Sequence, residues 1–190
     1  MPEKTYLPDG TRGAADRLNK YWHLSTSDHE VAITELEFSI FRIFGAFNRW
    51  MDDLTACCQN DADQLCSGMD FSLLNVIRMH DRAKSISEVG RLLNRDDLSN
   101  LQYSIRKLTK SGFIKKLGSK GNKKGATYAT TDRGIEVTDL YARYRKELLL
   151  PLTGGIAASD ERMSQVANML TLLSGIYDQA ACLAATHRDA

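Results

Sequence analysis

Between Ser111 and Gly134 the chain reads SGFIKKLGSKGNKKGATYATTDRG. Five lysines, Lys115, Lys116, Lys120, Lys123 and Lys124, fall on this glycine-punctuated segment, which joins two short strand-like runs. Ammonium groups on such a segment can neutralise phosphates and release their counterions, and glycine leaves room for close approach. The charge is concentrated here. From Leu98 to Thr131 there is no Asp or Glu, although the whole chain has 25 basic against 24 acidic residues and a formal net charge of +1. Arg106, Lys107 and Lys110 bring the cations of this run to eight. Clustering of this kind points to nucleic acid. The competing reading is a basic loop that keeps the chain soluble and touches nothing.

Other chemistry is hard to find. Cys57, Cys58, Cys66 and Cys182 include no C-x-x-C pair, and His23, His29, His80 and His187 are scattered. Structural zinc sites need paired ligands at short fixed spacing, so no metal site is expected. No nucleophile–base pair or phosphate loop is recognisable, so neither an enzyme nor a cofactor is expected. Free cysteine is most often a small buried hydrophobe. Oxidation chemistry at Cys57, Cys58 and Cys66 is the competing possibility.

A chain of 190 residues, 43% hydrophobic and 26% charged, suits one folded domain with extra helices. No apolar run approaches the roughly 18–20 residues that span a bilayer. The first residues lack a signal-peptide core, so a cytoplasmic location without membrane contact is expected.

The elements that must position the basic run follow from periodicity and caps. Residues 1–26 read as an N-terminal arm. Ser27 and Glu30 have capping-box spacing and open a long helix, Glu30–Ala56, with an apolar stripe from Ile33 to Leu54. Ser67 or Asp70 can cap a shorter helix through Phe71, Leu74 and Ile77. Ser85 and Glu88 form a second capping-box pattern before a two-turn helix, Ser85–Asn94. A helix over Asp97–Ser111 turns Leu98, Leu101, Ile105 and Leu108 inward and stops at Gly112. Phe113–Ile114 and Thr127–Thr130 read as strands. Asp132 can cap a helix from Arg133 to Leu149, ended by Pro151. A final helix, Ser159–Thr186, repeats apolar positions at three-four spacing from Met163 to Ala184.

Three short helices and a hairpin make a winged helix, with Ser85–Asn94 and Asp97–Ser111 as its helix-turn-helix. A recognition helix needs one anchored apolar stripe and an opposite face that is free to enter a major groove. Ser99, Asn100, Gln102 and Tyr103 occupy the half that usually reaches base edges, followed by Arg106, Lys107 and Lys110. Asn and Gln pair with adenine through two bonds, and Arg reaches guanine or phosphate. For each polar residue alone, a solvated face is the plainer reading. The two long outer helices expose more apolar surface than a small winged domain covers. Ile40, Phe44, Phe47, Leu170, Leu173 and Tyr177 are therefore expected at a homodimer interface.

The stretch SISEVGRLLNRDDLSNLQYSIRKLTKSGFIKK, followed by ATYATTDRG, resembles the multiple-antibiotic-resistance-regulator (MarR) family of bacterial winged-helix repressors. Leu108–Ile114 occupies the place of the family's L-x-K/R-x-G-hydrophobic-I/V segment, and Thr131–Gly134 that of its T-x-x-G. The resemblance implies a mainly α fold with a small β-hairpin: a winged helix-turn-helix domain flanked by N- and C-terminal dimerisation helices. Its parts are expected at 27–66 (N-terminal dimerisation helix and loop), 67–132 (winged domain) and 133–190 (C-terminal dimerisation helices). It further implies a homodimeric transcriptional regulator, expected to be a repressor, on a palindromic operator in double-stranded DNA. A small aromatic effector is implied too, with Phe47, Trp50, Phe71 and Tyr141 as candidates to line its site or, more plainly, to fill the core. One departure matters. The family's wing commonly carries an Asp-Arg pair, where this wing reads SKGNKKGA, so Lys120, Asn122, Lys123 or Lys124 must substitute in any minor groove. A redox-sensing regulator and a non-specific nucleic-acid-binding winged helix remain the alternatives.

Overall fold

A computed structural model describes residues 27–58, 66–118, 125–154 and 160–188. The expected N-terminal arm lies outside the described residues. The chain divides into two compact units between Arg49 and Trp50, and each is taken by itself.

The first unit holds most of α1 (Asp28–Cys58). Its start forms the capping box the sequence predicts. Ser27 Oγ accepts from the Glu30 amide at 3.3 Å, and the Glu30 carboxylate accepts from the Ser27 amide at 3.0 Å. Phe41, Ile43, Phe44 and Phe47 remain exposed along this part of the helix, and Ile40 is half-buried.

In the second unit the last turns of α1 bury Met51, Leu54 and Cys58. Next comes α2 (Gly68–Arg78), with Ser67 as its cap and Asp70 as the capping-box partner, so both sequence candidates act together. Gly68 is required by close approach. A Cβ there would sit 2.8 Å from the Asp52 nitrogen and the Met51 carbonyl carbon. Its N–H instead donates to Asp52 at 2.8 Å.

A 3-10 turn, Met79–Asp81, leads into β1 (Lys84–Ser85), α3 (Ile86–Leu92) and α4 (Leu98–Lys110). Strands β2 (Ile114–Leu117) and β3 (Thr127–Thr130) complete an antiparallel sheet of order β1-β3-β2, with Lys84 and Lys116 both opposite Tyr128. Behind the sheet lies a core of Phe71, Leu73, Leu74, Ile77, Val89, Leu101, Ile105, Leu108, Phe113 and Ile114.

After α5 (Asp132–Tyr144) come a π-helical segment (Arg145–Leu149), α6 (Leu150–Thr153) and α7 (Asp160–Arg188). Among the described residues no helix is long and apolar enough to cross a membrane.

Several expectations are corrected. Strand β1 was not foreseen, since two residues are too few to show alternation. Its Lys84 is fully buried and donates to the carbonyls of Ile77 (2.9 Å), Met79 and Arg82 (3.2 Å). Burial pushes its ammonium below the usual lysine range. Leu98 is 50% exposed instead of facing inward, because the first turn of α4 overhangs the core. At α3 only half of the capping box forms. Ser85 accepts from the Glu88 amide at 3.2 Å, but the Glu88 carboxylate turns to Arg82, whose charged fork outcompetes one neutral amide.

Thr131, not Asp132, caps α5, because its hydroxyl also reaches back to the end of α4. Nor does Pro151 end that helix. The Leu150 amide bonds to the Arg145 carbonyl five residues back, and Pro151 starts the next short turn, where a missing N–H costs least.

Candidate nucleic-acid interface

The helix α4 carries the predicted division of faces. Leu101, Ile105 and Leu108 are buried, while Ser99, Asn100, Gln102, Tyr103, Arg106 and Lys110 are exposed. Its start is held by charge rather than by a side-chain cap. The Asp97 carboxylate takes the Arg95 guanidinium through two bonds and the Asn100 amide at 3.1 Å. Arg95 and Asn100 together hold Asp97 down to about 2. Asn100, a candidate base reader, is thus already engaged in the free protein.

The end of α4 is a Schellman turn. The Gly112 amide bonds to the Thr109 carbonyl at 3.1 Å and the Phe113 amide to the Leu108 carbonyl at 3.0 Å. Gly112 takes φ +74°, which explains glycine at this position.

The T-x-x-G segment then ties the wing base to this turn. Thr131 accepts from the Gly134 amide at 3.1 Å and donates to the Gly112 carbonyl at 2.5 Å, while its own amide bonds to the Phe113 carbonyl at 3.0 Å. A Cβ on Gly134 would lie 2.1 Å from that same carbonyl oxygen, so only glycine lets α5 approach. Arg133, which the sequence reading passed over, adds a bond to the Ser111 carbonyl at 3.0 Å and sits 5.1 Å above the Phe113 ring. Helix α4, the β2–β3 hairpin and α5 therefore share one junction.

Lys107 does not share the outward face. It is half-buried and forms an ion pair with Asp70 of α2, whose side chain is only 3% exposed. Its ammonium also lies 5.7 Å from the centre of the Tyr103 ring. Burial works to raise the Asp70 carboxyl, but bonds from Lys107, Ser104 and the Ser67 amide outweigh it and hold the group below the usual carboxylate range. Periodicity places Lys107 on an outer face of α4, because the outer flank of a helix and the side toward a neighbouring one look alike in it. Only packing against α2 separates them.

In the wing, Lys115 and Lys116 are exposed on β2 but alternate across the strand, Lys115 opposite Ala129 and Lys116 opposite Tyr128. Lys120, Asn122, Lys123 and Lys124 lie outside the described residues.

The aromatic candidates separate as well. Phe71 is fully buried and meets Phe113 edge-on at 6.1 Å, so it is core filling with no surface to offer a ligand. Trp50 and Tyr141 pack partly buried against the core, and the Tyr141 hydroxyl lies 3.6 Å from the Met51 sulfur. Phe47 is exposed in the first unit.

Of the cysteines, Cys57 and Cys182 are exposed and Cys58 is buried. Burial, helped by the neighbouring Cys57, pushes the Cys58 thiol up to about 11, which keeps it from the reactive thiolate form. Cys66 Sγ lies 3.7 Å from Ser111 Oγ. Among the described residues no group of three His, Cys, Asp or Glu side chains could hold a metal ion.

On α7, Leu170 and Tyr177 are exposed and Leu173 is half-buried. The same element touches the helix-turn-helix through Asn94, whose amide donates to the Asp178 carboxylate at 3.0 Å and to Ser174 at 3.4 Å.

Residues 67–134 match a family model described as a winged helix DNA-binding domain. Solved structures of similar fold include Staphylococcus aureus MarR in complex with salicylate and kanamycin. It is 13% identical and covers 80% of this chain and 95% of its own, with a TM-score of 0.62. A mutant MarR from E. coli complexed with operator DNA is 19% identical, covers 77% of this chain and 99% of its own, and gives 0.57. Streptococcus pneumoniae FabT in complex with DNA is 17% identical, covers 78% and 99%, and gives 0.55. No curated protein sequence matches this chain at a significant level. The fold is the mainly helical, MarR-type winged helix that the resemblance implied. The DNA-binding description belongs to the family model over residues 67–134, and the solved neighbours share the fold.

Proposed function

We propose that this MarR-fold chain is a homodimeric, sequence-specific transcriptional repressor that reads a palindromic operator and works in the cytoplasm. One observation carries the reading. The exposed face of α4 presents Ser99, Gln102, Tyr103, Arg106 and Lys110 from within a run, Leu98–Thr131, that contains no acid. Gln102 and Tyr103 in the first half of α4 are the base readers, with Ser99 and Asn100 beside them. Arg106, Lys110 and the wing lysines Lys115 and Lys116 grip phosphates, and Lys120, Asn122, Lys123 and Lys124 at the tip extend that grip. The DNA in the E. coli MarR and S. pneumoniae FabT complexes supports this assignment.

The dimer is supported by bare apolar surface on both outer helices. Phe44 is 60% and Leu170 44% exposed, and a second copy covers them and the nearby Ile40, Phe47, Leu173 and Tyr177. Two-fold symmetry then places two α4 helices for two half-sites about one turn of DNA apart. The salicylate of the S. aureus complex supports an aromatic effector. Trp50 and Tyr141 of the second unit are the residues left to meet it.

The decisive test is competition between a duplex selected by the protein from random sequence and an unselected duplex, at fixed salt. An operator reader prefers the selected duplex by about 10³ or more, and a preference below about tenfold overturns the reading in favour of non-specific binding. Arg106→Ala and Lys110→Ala are expected to weaken both duplexes evenly and to lower the salt slope by about one each, while Gln102→Ala shifts base preference. Release of the selected duplex by salicylate checks the effector. Loss of binding after mild peroxide, restored by dithiothreitol, would favour cysteine oxidation instead.

A further inference from the structure

The reading of α4 as the recognition helix leaves open what sets its rotation about its own axis. Leucine and isoleucine packing is non-directional, so the stripe Leu101, Ile105 and Leu108 tolerates a small roll without losing much burial. At about 100° per residue, Ser104 and Lys107 lie on one flank of that stripe, and Gln102, Tyr103, Arg106 and Lys110 lie opposite it.

One flank residue reaches a buried carboxylate, that of Asp70. Lys107 donates to it through its ammonium. Asp70 is itself immobilised. The Ser67 amide donates to it at 2.9 Å and the Ser67 hydroxyl lies at 3.1 Å, in the first turn of α2. That turn is anchored in its place by the 2.8 Å bond from Gly68 to Asp52 of α1. A partly buried, charge-assisted bond is directional where the apolar contacts are not. Lys107 also stands beneath Tyr103, an outward candidate reader, at 5.7 Å from the ring centre.

We propose that Asp70 is a positioning residue for DNA reading: through Lys107 it locks the roll of α4 and orients the Tyr103 ring. It touches no DNA. Its contribution is to sequence discrimination and not to phosphate affinity, and Lys107 belongs to this clamp instead of the phosphate-binding set.

The test compares Asp70→Asn, Lys107→Met and the double variant with the unmodified 190-residue chain. Asparagine keeps an oxygen that can cap α2, so the fold is retained. On the selected and unselected duplexes, each single variant is expected to lower the preference at least tenfold while leaving affinity and salt slope on the unselected duplex unchanged. The double variant should be no worse than the worse single, because the pair acts as a unit. A salt slope lowered by about one in Lys107→Met would make Lys107 a phosphate contact and overturn the proposal. So would equal losses on both duplexes.

Amide hydrogen exchange in the free protein gives a readout that does not depend on DNA. Protection over 101–110 should fall in Asp70→Asn while that of α5 is kept, and unchanged protection there sinks the clamp. An unmodified protein that shows no preference between duplexes, yet loses α4 protection in Asp70→Asn, would instead sink the operator reading and leave the clamp standing.

Discussion

The core of the winged domain and the long helix α7 use similar apolar residues to opposite ends. Phe71, Leu73, Leu74, Leu101, Leu108 and Phe113 are 0% exposed, whereas Leu172 is 66%, Ile176 59% and Met169 57% exposed on α7. The domain core has its polar groups accounted for too: among the described residues no buried side-chain nitrogen or oxygen lacks a partner. A region closed in this way needs nothing more to be stable. A helix that leaves most of its apolar residues in water is unfinished, and the exposed Phe41 and Phe44 give the α1 part of the first unit the same character. The contrast separates a self-sufficient domain from helices whose apolar faces stay bare.

Substitutions can break that contrast from either side. The largest effect belongs to the closed region. Phe71→Ala should cost about 3–5 kcal/mol of stability by leaving a cavity. The loss, read by urea unfolding, should be the same at low and high protein concentration. Gly134→Ala should follow at about 2–3 kcal/mol, because the new methyl meets the Phe113 carbonyl and must push α5 from the wing junction. A neutral Gly134→Ala in the same measurement would show that the junction is looser than its geometry.

On the open side, Leu170→Asp should raise the dissociation constant of the proposed dimer roughly thirtyfold, about 2 kcal/mol, read by sedimentation equilibrium. Exchange protection in the winged core should be unchanged. If that core unfolded with the dimer, the two regions would be one cooperative unit and the contrast would fall.

The smallest effect concerns pH. Asp97, held at about 2, sits below its ordinary value of about 3.9. Its stabilisation is therefore complete above about pH 4 and lost as pH falls through about 2. Asp97→Asn should flatten the acid limb of the stability curve within that window, and an unchanged limb would mean that Arg95 holds nothing at the start of α4.

Much of this was legible in the sequence. Ser27, Ser67 and Ser85 each cap the helix their spacing predicts, and Gly112 terminates α4 as expected. Where local rules misled, a longer-range partner intervened. Thr131 won the cap of α5 from Asp132 through its bond to Gly112, nineteen residues away. Glu88 left its capping box for Arg82. Lys107 turned from the open face of α4 to Asp70, across thirty-seven residues.

Caps, stripes and the acid-free run are properties of neighbours within a turn or two, so the sequence alone determined them: the helices, the wing and the concentration of positive charge. Whether a lysine faces water, as Lys110 does, or lies under the fold, as Lys84 does, depends on which distant backbone carbonyls and carboxylates arrive beside it. Those partners meet only after the chain has collapsed. Desolvation then admits an ammonium only where such acceptors already wait, and that choice belongs to the tertiary structure.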